Sequence, residues 1–189
     1  MSHKFLSDAN FHLLLNKIDQ EFSEKIKQKG CPFCGGKLHQ ADYPRSPLGM
    51  PLLFRELYER RLSFCCEACR KRTTSLSVRF FGRRWYPAPL FILISLLTLG
   101  INKRRQTQIQ HHFGINVSLS TWKRWRQWWR EFFITTLFWQ ETRWIVPLLQ
   151  RDGPFPRAFL GVFQGKFEEK MCLILRFISP LTIENFKII

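Results

Sequence analysis

Two Cys-x-x-Cys pairs constrain the fold of this chain more than any other feature of its sequence. They read Cys31-Pro-Phe-Cys34-Gly-Gly and Cys66-Glu-Ala-Cys69, and 31 residues separate them. In a tight turn, two cysteines three positions apart can direct both sulfurs to one tetrahedral metal ion at about 2.3 Å. Pro32 stiffens the first turn, and Gly35 or Gly36 supplies a left-handed conformation. Two such turns close a four-thiolate site, so the sequence predicts a structural zinc ion bound by Cys31, Cys34, Cys66 and Cys69.

The other cysteines and one histidine leave part of the ligand set open. Cys65 is either an alternative ligand in place of Cys66 or a small buried residue. His39 is a minor candidate ligand, and Cys172 is expected in the core. The first residues contain neither the continuous apolar region nor the small-residue cleavage site of a secretory signal. We therefore expect a cytoplasmic, reducing location, in which clustered cysteines bind metal rather than form disulfides.

Hydrophobic spacing predicts a helix before the cysteines and an irregular segment after its end. Apolar residues recur at intervals of three and four over residues 8–29, Ser7 or Asp8 can cap the first turn, and Gly30 ends the helix. From Cys31 to about Phe81 the helical period disappears, and Gly and Pro predict turns and short strands. Residues 52–62 predict one short helix there, and residues 72–81 a strand. The apolar face of the first helix comprises Phe11, Leu14, Leu15, Ile18, Phe22 and Ile26.

An uncharged run of 17 residues, 85–101, permits two interpretations. That length lies at the low edge of a bilayer span, so a single-pass membrane protein is one alternative. Pro87 and Pro89 exclude the first residues from a helix interior, and the remaining dozen or so suit a buried core helix better. We therefore predict a core helix, with membrane association the less favoured alternative.

Taken together, these patterns predict a mainly α protein with a small β zinc ribbon. Residues 1–30 form an N-terminal amphipathic helix, and residues 31–84 a zinc ribbon with an insertion. Residues 85–146 form a helix-turn-helix region, and residues 147–189 a linker followed by a C-terminal helix over about 157–178. The apolar face of that last helix either packs on the tryptophan-rich helix of the same chain or binds a partner. It comprises Phe159, Leu160, Phe163, Phe167, Met171, Ile174, Leu175 and Ile178.

The charge distribution predicts a polyanionic partner. The chain of 189 residues carries 30 Lys and Arg against 14 Asp and Glu, a formal net charge of +16. Between Glu67 and Glu131 there is no carboxylate, although the 63 residues there include 13 basic ones. A solvated surface normally mixes the two signs, because charges of one sign repel each other. This window therefore favours a nucleic-acid surface over a merely soluble basic face.

The sequence QTQIQHHFGINVSLSTWKRWRQWW is typical of a helix-turn-helix. Ile109 and Phe113 share one face of a helix that breaks at Gly114, and Ile115 and Val117 plug the turn. Ser118 or Ser120 then caps a second helix. At 100° per residue, the second helix has an apolar stripe of Trp122, Trp125, Trp129, Phe132 and Phe133, opposite a polar face of Lys123, Arg124, Gln127 and Arg130.

A second helix of this kind enters the major groove of double-stranded DNA with its N-terminal residues. We therefore expect Thr121, Lys123, Arg124 and Gln127 to contact base edges. The remaining basic residues of the surface are expected mostly to bind phosphates, which fixes the register without specifying sequence. They are Arg70, Lys71, Arg72, Arg83, Arg84, Lys103, Arg104 and Arg105, and Arg130 of the polar face completes the DNA-binding set.

The segments CPFCGG, FCCEACRKRTT and FGINVSLSTWKRW resemble the zinc-ribbon and helix-turn-helix front end of bacterial insertion-sequence transposases and of small proteins carried on mobile elements. The likeness covers about residues 31–130. It implies binding to element ends or to a promoter, and with it a nucleoid-associated protein, either transposition-associated or a transcriptional regulator.

The sequence departs from a full transposase in its carboxylates. Such enzymes need three carboxylates that hold two metal ions for phosphodiester chemistry. The acidic residues after Glu67 fall on predicted helices and a linker, with no room for the sheet that would present them. We therefore expect no catalytic residues and no enzymatic activity. The chain is then an accessory subunit that contacts a transposase or a second copy through its C-terminal helix, a regulator, or a truncated transposase remnant.

Overall fold

The chain is mostly helical, with a small antiparallel sheet between its first helix and the rest. A computed structural model describes residues 7–48, 52–81, 86–97, 103–113, 117–145 and 159–183. The α-helices are α1 (Ala9–Lys29), α2 (Ala88–Leu97), α3 (Lys103–Phe113), α4 (Leu119–Gln127), α5 (Leu137–Thr142), α6 (Phe159–Val162) and α7 (Phe167–Ile178). The strands are β1 (Leu38–Gln40), β2 (Tyr43–Pro44), β3 (Arg60–Arg61), β4 (Ser63–Cys66) and β5 (Arg72–Thr74). The segment predicted as a short helix over 52–62 is a 3₁₀-helix, Leu52–Tyr58.

Helix α1 has the predicted bounds, but its buried face differs from the predicted one. The Asp8 carboxylate accepts a hydrogen bond from the Asn10 backbone N–H at 2.9 Å, and Gly30 ends the helix with φ of +78°. Phe11, Leu15 and Ile18 are buried, as expected. The prediction for Leu14 is wrong, since this side chain is 45% exposed. The buried stripe is instead completed by the polar side chains of His12, Asp19 and Ser23, and His12 and Asp19 contact polar groups inside the protein.

The main sheet has three strands in the order β1-β4-β5, all antiparallel. Leu38 lies opposite Cys66 in this sheet, and His39 lies opposite Cys65. Because side chains alternate along a strand, the sheet has two different faces. One face carries Leu38, Phe64 and Cys66, which form a small buried cluster with Cys31. A separate pair, β2 and β3, joins Tyr43 to Arg61 and Pro44 to Arg60.

The strand predicted over residues 72–81 is shorter than expected, because β5 ends at Thr74. The following segment satisfies its backbone groups with side chains instead of a neighbouring strand. The Asp19 carboxylate accepts from the Val78 N–H at 2.7 Å, and the Ser77 hydroxyl accepts from the N–H groups of Arg79 and Phe80 at 3.1 Å each. Buried backbone donors need partners of some kind, and side chains from distant parts of the chain supply them here.

A buried ion pair joins this segment to α1. The Arg79 Nε donates to the Asp19 carboxylate at 2.8 Å, and the two side chains are 4% and 0% exposed. Ser77 Oγ donates to the same carboxylate at 2.5 Å. Arg79 also donates to the carbonyl of Leu57. Arg79, one of the 13 basic residues counted in the carboxylate-free window, is therefore not part of an exposed basic surface, because its guanidinium pairs with a carboxylate 60 positions earlier in the chain.

The largest buried cluster is an aromatic core built from α1, α2, α4 and α7. Phe91 of α2 lies at its centre, stacked on Phe81 at 5.3 Å and on Trp129 at 5.8 Å between ring centroids. Leu90 and Ile92 are buried beside it. These contacts are those of the core helix predicted within residues 85–101. Among the described helices, none has both the length and the apolar character needed to cross a membrane.

The helix that carries the tryptophans changes its pitch, and the prediction that Phe132 belongs to the core is wrong. After α4, residues Trp128–Phe132 form a π-helix, in which the Phe133 N–H donates to the carbonyl of Trp128. The wider turn buries both Trp128 and Trp129, whereas a constant 100° per residue places only Trp129 in the core. Phe132, predicted in the apolar stripe, is 37% exposed.

The predicted C-terminal helix is divided into α6 and α7. Gly165, with φ of +109°, lies at the break, and a Cβ there would collide with the Glu169 carboxylate. In α7 the apolar face of Met171, Ile174 and Leu175 is buried in the aromatic core of the same chain. This supports the intrachain alternative for that face. The predicted linker over 147–156 lies outside the described residues.

The aromatic core crosses the predicted segment boundaries. It takes Phe11 from residues 1–30, Val78 from residues 31–84, Phe91 from residues 85–146 and Ile174 from residues 147–189. Only the small cluster around Cys31 and Cys66 is separate from it. The described residues therefore have two buried clusters, and α1 contributes to both of them through Leu15 and Ile26.

Candidate metal centre and nucleic-acid interface

The four cysteines of the two Cys-x-x-Cys pairs lie together at one end of the sheet. Their Sγ atoms are all within 4.8 Å of one another, and they are the one group of three or more metal-ligating side chains among the described residues. Cys31 and Cys69 are 3.6 Å apart, and Cys34 and Cys66 are 3.5 Å apart, between Sγ atoms. A tetrahedron of sulfurs at about 2.3 Å from a central ion has edges of about 3.8 Å. The donor set thus has the size and the chemistry of a four-thiolate site for one metal ion.

The two turns have the same backbone hydrogen bonds, and we call each of them a knuckle (residues 31–36 and 66–71). In the first, the Gly35 N–H donates to the Cys31 carbonyl at 2.8 Å, and the Cys31 N–H donates to the Gly36 carbonyl at 2.9 Å. In the second, Arg70 and Lys71 occupy the equivalent positions, with distances of 3.1 and 3.0 Å to Cys66. The repeated pattern turns both sulfurs of each knuckle toward the same point.

Two glycines of the first knuckle are required by its geometry. Gly35 has φ of +71°, a left-handed conformation that glycine adopts without a steric cost. Gly36 faces the sulfurs, because a Cβ at this position would lie 3.1 Å from Cys66 Sγ and 3.4 Å from Cys34 Sγ. The second knuckle has no glycine, and Arg70 adopts the left-handed conformation with φ of +57°. Arg70 is the one non-glycine residue with a positive φ among the described residues.

Backbone donors within the second knuckle favour an ionised sulfur. The N–H of Cys69 donates to the Cys66 sulfur and, together with the neighbouring donors, lowers the pKa of Cys66 to about 6. The N–H of Lys71 acts in the same direction on Cys69. Burial and the other thiols outweigh it, and they raise the pKa of Cys69 to about 12. The backbone donors of the second knuckle thus favour the ionised form of the Cys66 sulfur, which is the form that binds metal ions.

The structure also decides among the remaining candidate ligands. Cys66, not Cys65, belongs to the four-sulfur group, because consecutive residues of β4 point to opposite faces of the sheet. The Cys65 thiol instead lies 3.5 Å from the Arg70 carbonyl. His39 Nε2 lies 3.1 Å from the Glu67 carboxylate, outside the four-sulfur group. Cys172 is buried in the aromatic core, as expected, and burial raises its pKa to about 11.

The second candidate site is on the pair of helices α3 and α4. Ser118, one of the two predicted caps, accepts a hydrogen bond from the Thr121 N–H at 3.2 Å and so begins α4. Val117 is fully buried, and its carbonyl accepts from the Gln106 side chain of α3 at 3.0 Å. Ile115, predicted to plug the turn, lies outside the described residues. Together, these contacts hold the beginning of α4 against α3.

Helix α4 and the π-helix after it separate aromatic from polar side chains. Trp122, Trp125, Trp128 and Trp129 are between 1% and 5% exposed. Every residue of the predicted polar face, namely Lys123, Arg124, Gln127 and Arg130, is exposed. A core of four tryptophans therefore fixes one side of this helix, while its cations face solvent.

Two side chains of the polar face have partners on the same helix. The Arg124 guanidinium donates to the Thr121 hydroxyl at 3.2 Å. Gln127 donates to the Glu131 carboxylate at 2.7 Å. Glu131 is exposed and ends the carboxylate-free window, so the positive face of the helix is limited at its C-terminal end.

The structure describes part of the predicted phosphate-binding set. Arg70, Lys71, Arg72, Lys103 and Arg104 are exposed. Arg72 is also held in place, because its Nη1 donates to the Ala41 carbonyl at 2.8 Å and lies 3.0 Å from Ser63 Oγ. Arg83, Arg84 and the side chain of Arg105 lie outside the described residues.

Sequence reasoning missed the polar network around Asp19. His12 Nδ1 lies 2.9 Å from the Tyr58 hydroxyl, and Arg61, which is 2% exposed, donates to the carbonyls of Ser75 and Leu76. Desolvation on burial lowers the pKa of Arg61. One signal was available in the sequence. His12 and Asp19 fall on the same face of the predicted helix as the apolar residues Phe11, Leu15 and Ile18.

Comparisons with known proteins give no relative from which a function can be transferred. The chain matches no protein-family model, and no match was found among curated proteins or among solved structures.

Proposed function

We propose that this protein binds double-stranded DNA without catalysing a reaction on it, and that a structural zinc ion holds one of its two DNA-contacting parts. The observation that carries the proposal is the division of α4, with four tryptophans buried on one side and Lys123, Arg124 and Arg130 exposed on the other. A helix fixed by its aromatic side can present its cationic side to a DNA groove as a rigid element.

In this proposal, residues 103–127 act as a helix-turn-helix. The capped N-terminal turn of α4 enters the major groove, where Thr121, Lys123 and Arg124 contact base edges. The Arg124–Thr121 hydrogen bond of 3.2 Å holds the guanidinium in one orientation before DNA binds. Gln127 must exchange its bond with Glu131 for a base contact, so it contributes less than Lys123 or Arg124 to discrimination between sequences.

The cysteines form a zinc ribbon in the same proposal. Cys31, Cys34, Cys66 and Cys69 hold the ion, which supplies folding energy and leaves no coordination position open for water. Zinc fits the donor set, because four thiolates in a tetrahedral arrangement suit this ion. The tetrathiolate carries a formal charge of −2, which favours the adjacent cations Arg70, Lys71 and Arg72.

The cations outside α4 bind phosphates. Arg70, Lys71 and Arg72 follow the second knuckle, and a further group belongs to α3 and to the segment before α2. Such contacts raise affinity for any duplex and set the register of the recognition helix. The second group comprises Arg83, Arg84, Lys103, Arg104 and Arg105.

The biological setting is a proposal that rests on the sequence resemblance. In this setting the protein is associated with the nucleoid and encoded by a bacterial mobile element, where it acts either as an accessory factor in transposition or as a transcriptional regulator. A transposase or second copy would then have to bind at a surface other than the apolar face of α7, whose Met171, Ile174 and Leu175 are buried.

The test compares binding to selected and unselected duplexes. Duplex fragments selected by the purified, zinc-loaded protein should bind in a salt-dependent manner, with a slope of about −0.9 in log affinity against log salt for each phosphate contacted. Lys123→Ala with Arg124→Ala should remove most of the discrimination between selected and random duplexes, by roughly 1–3 kcal/mol for each base that is no longer recognised. Arg83→Ala with Arg84→Ala should weaken binding to the selected and the random duplexes equally.

A matched control separates a specific effect from the loss of two charges. Lys25→Ala with Lys27→Ala removes the same charge from exposed positions of α1, far along the chain from the proposed recognition helix. It should leave the discrimination unchanged. If the α1 and α4 double variants had the same effect on selected and random duplexes, α4 would not be the recognition element.

A further inference from the structure

The cysteine knuckles carry a pair of features that duplex binding does not use. Phe33, between the two cysteines of the first knuckle, is 58% exposed although it is a large apolar side chain. The Lys71 Nζ of the second knuckle lies 4.6 Å from the centre of its ring. The ring is thus held from one side by a cation, a contact that is favourable at an exposed site.

The next residue makes a similar contact. The Arg72 guanidinium lies 5.8 Å from the centre of the Tyr43 ring. Its Nη1 is fixed by the Ala41 carbonyl at 2.8 Å and by Ser63 Oγ at 3.0 Å, while the residue remains exposed. A guanidinium held in this way is a planar surface on which a base can stack, as bases do on aromatic rings.

Arg72 is a separate surface, because it lies opposite Cys65 in the sheet, and its guanidinium is bound to Ala41 and Ser63 and not to the knuckles. Both knuckles are positioned by the four-sulfur group, so Phe33 and Lys71 are brought together from distant positions in the chain. We call Phe33 and Lys71 the aromatic–cation patch. Its members combine what single-stranded nucleic acid requires, namely a flat group for a base and positive charge for a phosphate.

The charge around the patch supports an anionic ligand. Lys37, Arg70, Lys71 and Arg72 lie in or directly after the two knuckles, and all four are exposed. The nearby carboxylates have partners within the protein. Asp42 accepts from the Ser63 N–H at 3.0 Å and from the Gln40 side chain at 2.7 Å, and Glu67 lies 3.1 Å from His39 Nε2.

We propose that the aromatic–cation patch binds unpaired nucleotides, with a base stacked on the Phe33 ring and a phosphate beside the Lys71 ammonium. In a duplex the base faces are already covered by their neighbours, and so this surface selects single strands, ends or opened segments. The inference adds a second ligand to the proposed function. It depends on the formation of the four-cysteine site but not on the recognition helix α4.

The test uses the zinc-loaded full chain and three fluorescein-labelled probes. The first is an oligothymidine of about 15 nucleotides, the second an abasic strand of the same length, and the third a duplex of the same length. The wild-type protein should bind the oligothymidine more tightly than the abasic strand, which carries the same phosphates without bases. Oligouridine in place of oligothymidine distinguishes RNA from DNA as the preferred strand.

Phe33→Leu keeps an apolar side chain of similar size but removes the aromatic face. We expect it to weaken oligothymidine binding roughly 5- to 100-fold, the range for removing one stacked base, with no change for the abasic strand or the duplex. Phe33→Trp should restore binding. Phe132→Leu makes the same change at another exposed phenylalanine, in the π-helix, and should not alter oligothymidine binding.

The outcomes separate this inference from the proposed function. Loss of discrimination between selected and random duplexes in the Lys123→Ala, Arg124→Ala variant, with intact oligothymidine binding, supports two surfaces. An unchanged zinc content of Phe33→Leu, measured by a colorimetric chelator, shows that the four-cysteine site still forms. If Phe33→Leu weakened all three probes equally, or none of them, or if wild-type protein did not prefer oligothymidine over the abasic strand, base stacking on this patch would be excluded.

Discussion

The cysteine end of the molecule and its aromatic core maintain a fold by different means. In the cysteine end, the separate buried cluster consists of Cys31, Leu38, Phe64 and Cys66, and half of its members are cysteines. The aromatic core buries side chains from four helices, and Phe91 alone contacts the rings of Phe81, Trp125, Trp128 and Trp129. The first cluster contains few apolar side chains, as in small domains that depend on a cross-link or a metal ion, whereas the second contains many.

This difference implies two kinds of stability in one chain. A four-thiolate zinc site contributes about 10–16 kcal/mol of binding free energy that appears as folding energy. Burial in the aromatic core contributes in proportion to area, at about 25 cal/mol for each Å² of apolar surface. Removal of the metal should therefore unfold one region and leave the other, although α1 belongs to both through Leu15 and Ile26.

The largest expected effect is that of losing one metal ligand. Cys34→Ser should abolish zinc binding and unfold the strands β1, β4 and β5, because three thiolates no longer close the site. The helices around Phe91 should retain their far-ultraviolet circular dichroism and a cooperative thermal transition. Zinc content by a colorimetric assay and strand protection by hydrogen exchange measure the first effect.

The control for that experiment is a cysteine one residue away from the site. Cys65→Ser replaces a thiol that lies on the opposite face of β4 and outside the four-sulfur group. It should bind one zinc ion as the wild type does. A zinc-free but fully folded Cys34→Ser protein would contradict the metal assignment, and equal zinc loss in both variants would contradict the ligand set.

A smaller effect is expected for the buried ion pair that joins α1 to residues 77–79. Asp19→Asn leaves the Arg79 guanidinium buried without its carboxylate, at a cost of about 3–5 kcal/mol in the free energy of unfolding. The same substitution weakens the bonds that hold residues 77–79 to α1. Urea unfolding followed by tryptophan fluorescence measures the loss in the aromatic core.

Glu21→Gln is the matched control, two positions along the same helix. The Glu21–Arg176 pair has a length of 3.4 Å, and its side chains are 45% and 44% exposed. Exposed pairs contribute about 0–1 kcal/mol, so this variant should unfold at nearly the wild-type urea concentration. If the two variants lost equal stability, the Asp19–Arg79 pair would not connect α1 to the core.

Local patterns in the sequence predicted the parts of the fold that local interactions determine. Helix α1 has almost the predicted bounds, because an Asp cap and a terminal Gly act within a few residues of its ends. The four-cysteine group was predictable for the same reason, since the Cys-x-x-Cys spacing fixes each pair of sulfurs. The choice of Cys66 over Cys65 needed the strand register, in which Cys66 lies opposite Leu38.

The predictions that failed depend on contacts between distant residues. Nothing near Arg79 in the sequence indicates that its partner is Asp19, 60 positions earlier, so the charge window counted it as surface. Residues 75–81 have strand composition, but side chains of Asp19 and Thr182 occupy backbone donors that a strand partner would use. Phe132 was assigned to the core because one constant helical pitch was assumed across a π-helix.

The smallest effect concerns a difference between the two knuckles themselves. Arg70 occupies the left-handed position that Gly35 occupies in the first knuckle, with φ of +57° against +71°. The left-handed conformation costs a residue with a side chain about 1–2 kcal/mol. Glycine avoids this cost, but it makes the unfolded chain more flexible, which offsets part of the gain in stability. Arg70→Gly should therefore stabilise the zinc-bound form by about 0.5–1 kcal/mol, measured as greater resistance of the bound zinc to a competing chelator.

Arg70→Ala separates conformational strain from the loss of charge, because it removes the guanidinium but keeps the Cβ. Arg70→Ala should not stabilise the zinc-bound form. In the first knuckle, Gly35→Ala should destabilise it by about 1 kcal/mol, although no atom lies within 4 Å of the added Cβ. A gain in stability on introducing glycine at position 70, together with a loss on removing glycine at position 35, would establish that the knuckles share one backbone requirement. If Arg70→Gly and Arg70→Ala changed zinc retention equally, the charge beside the thiolates, and not the backbone, would account for the difference between the knuckles.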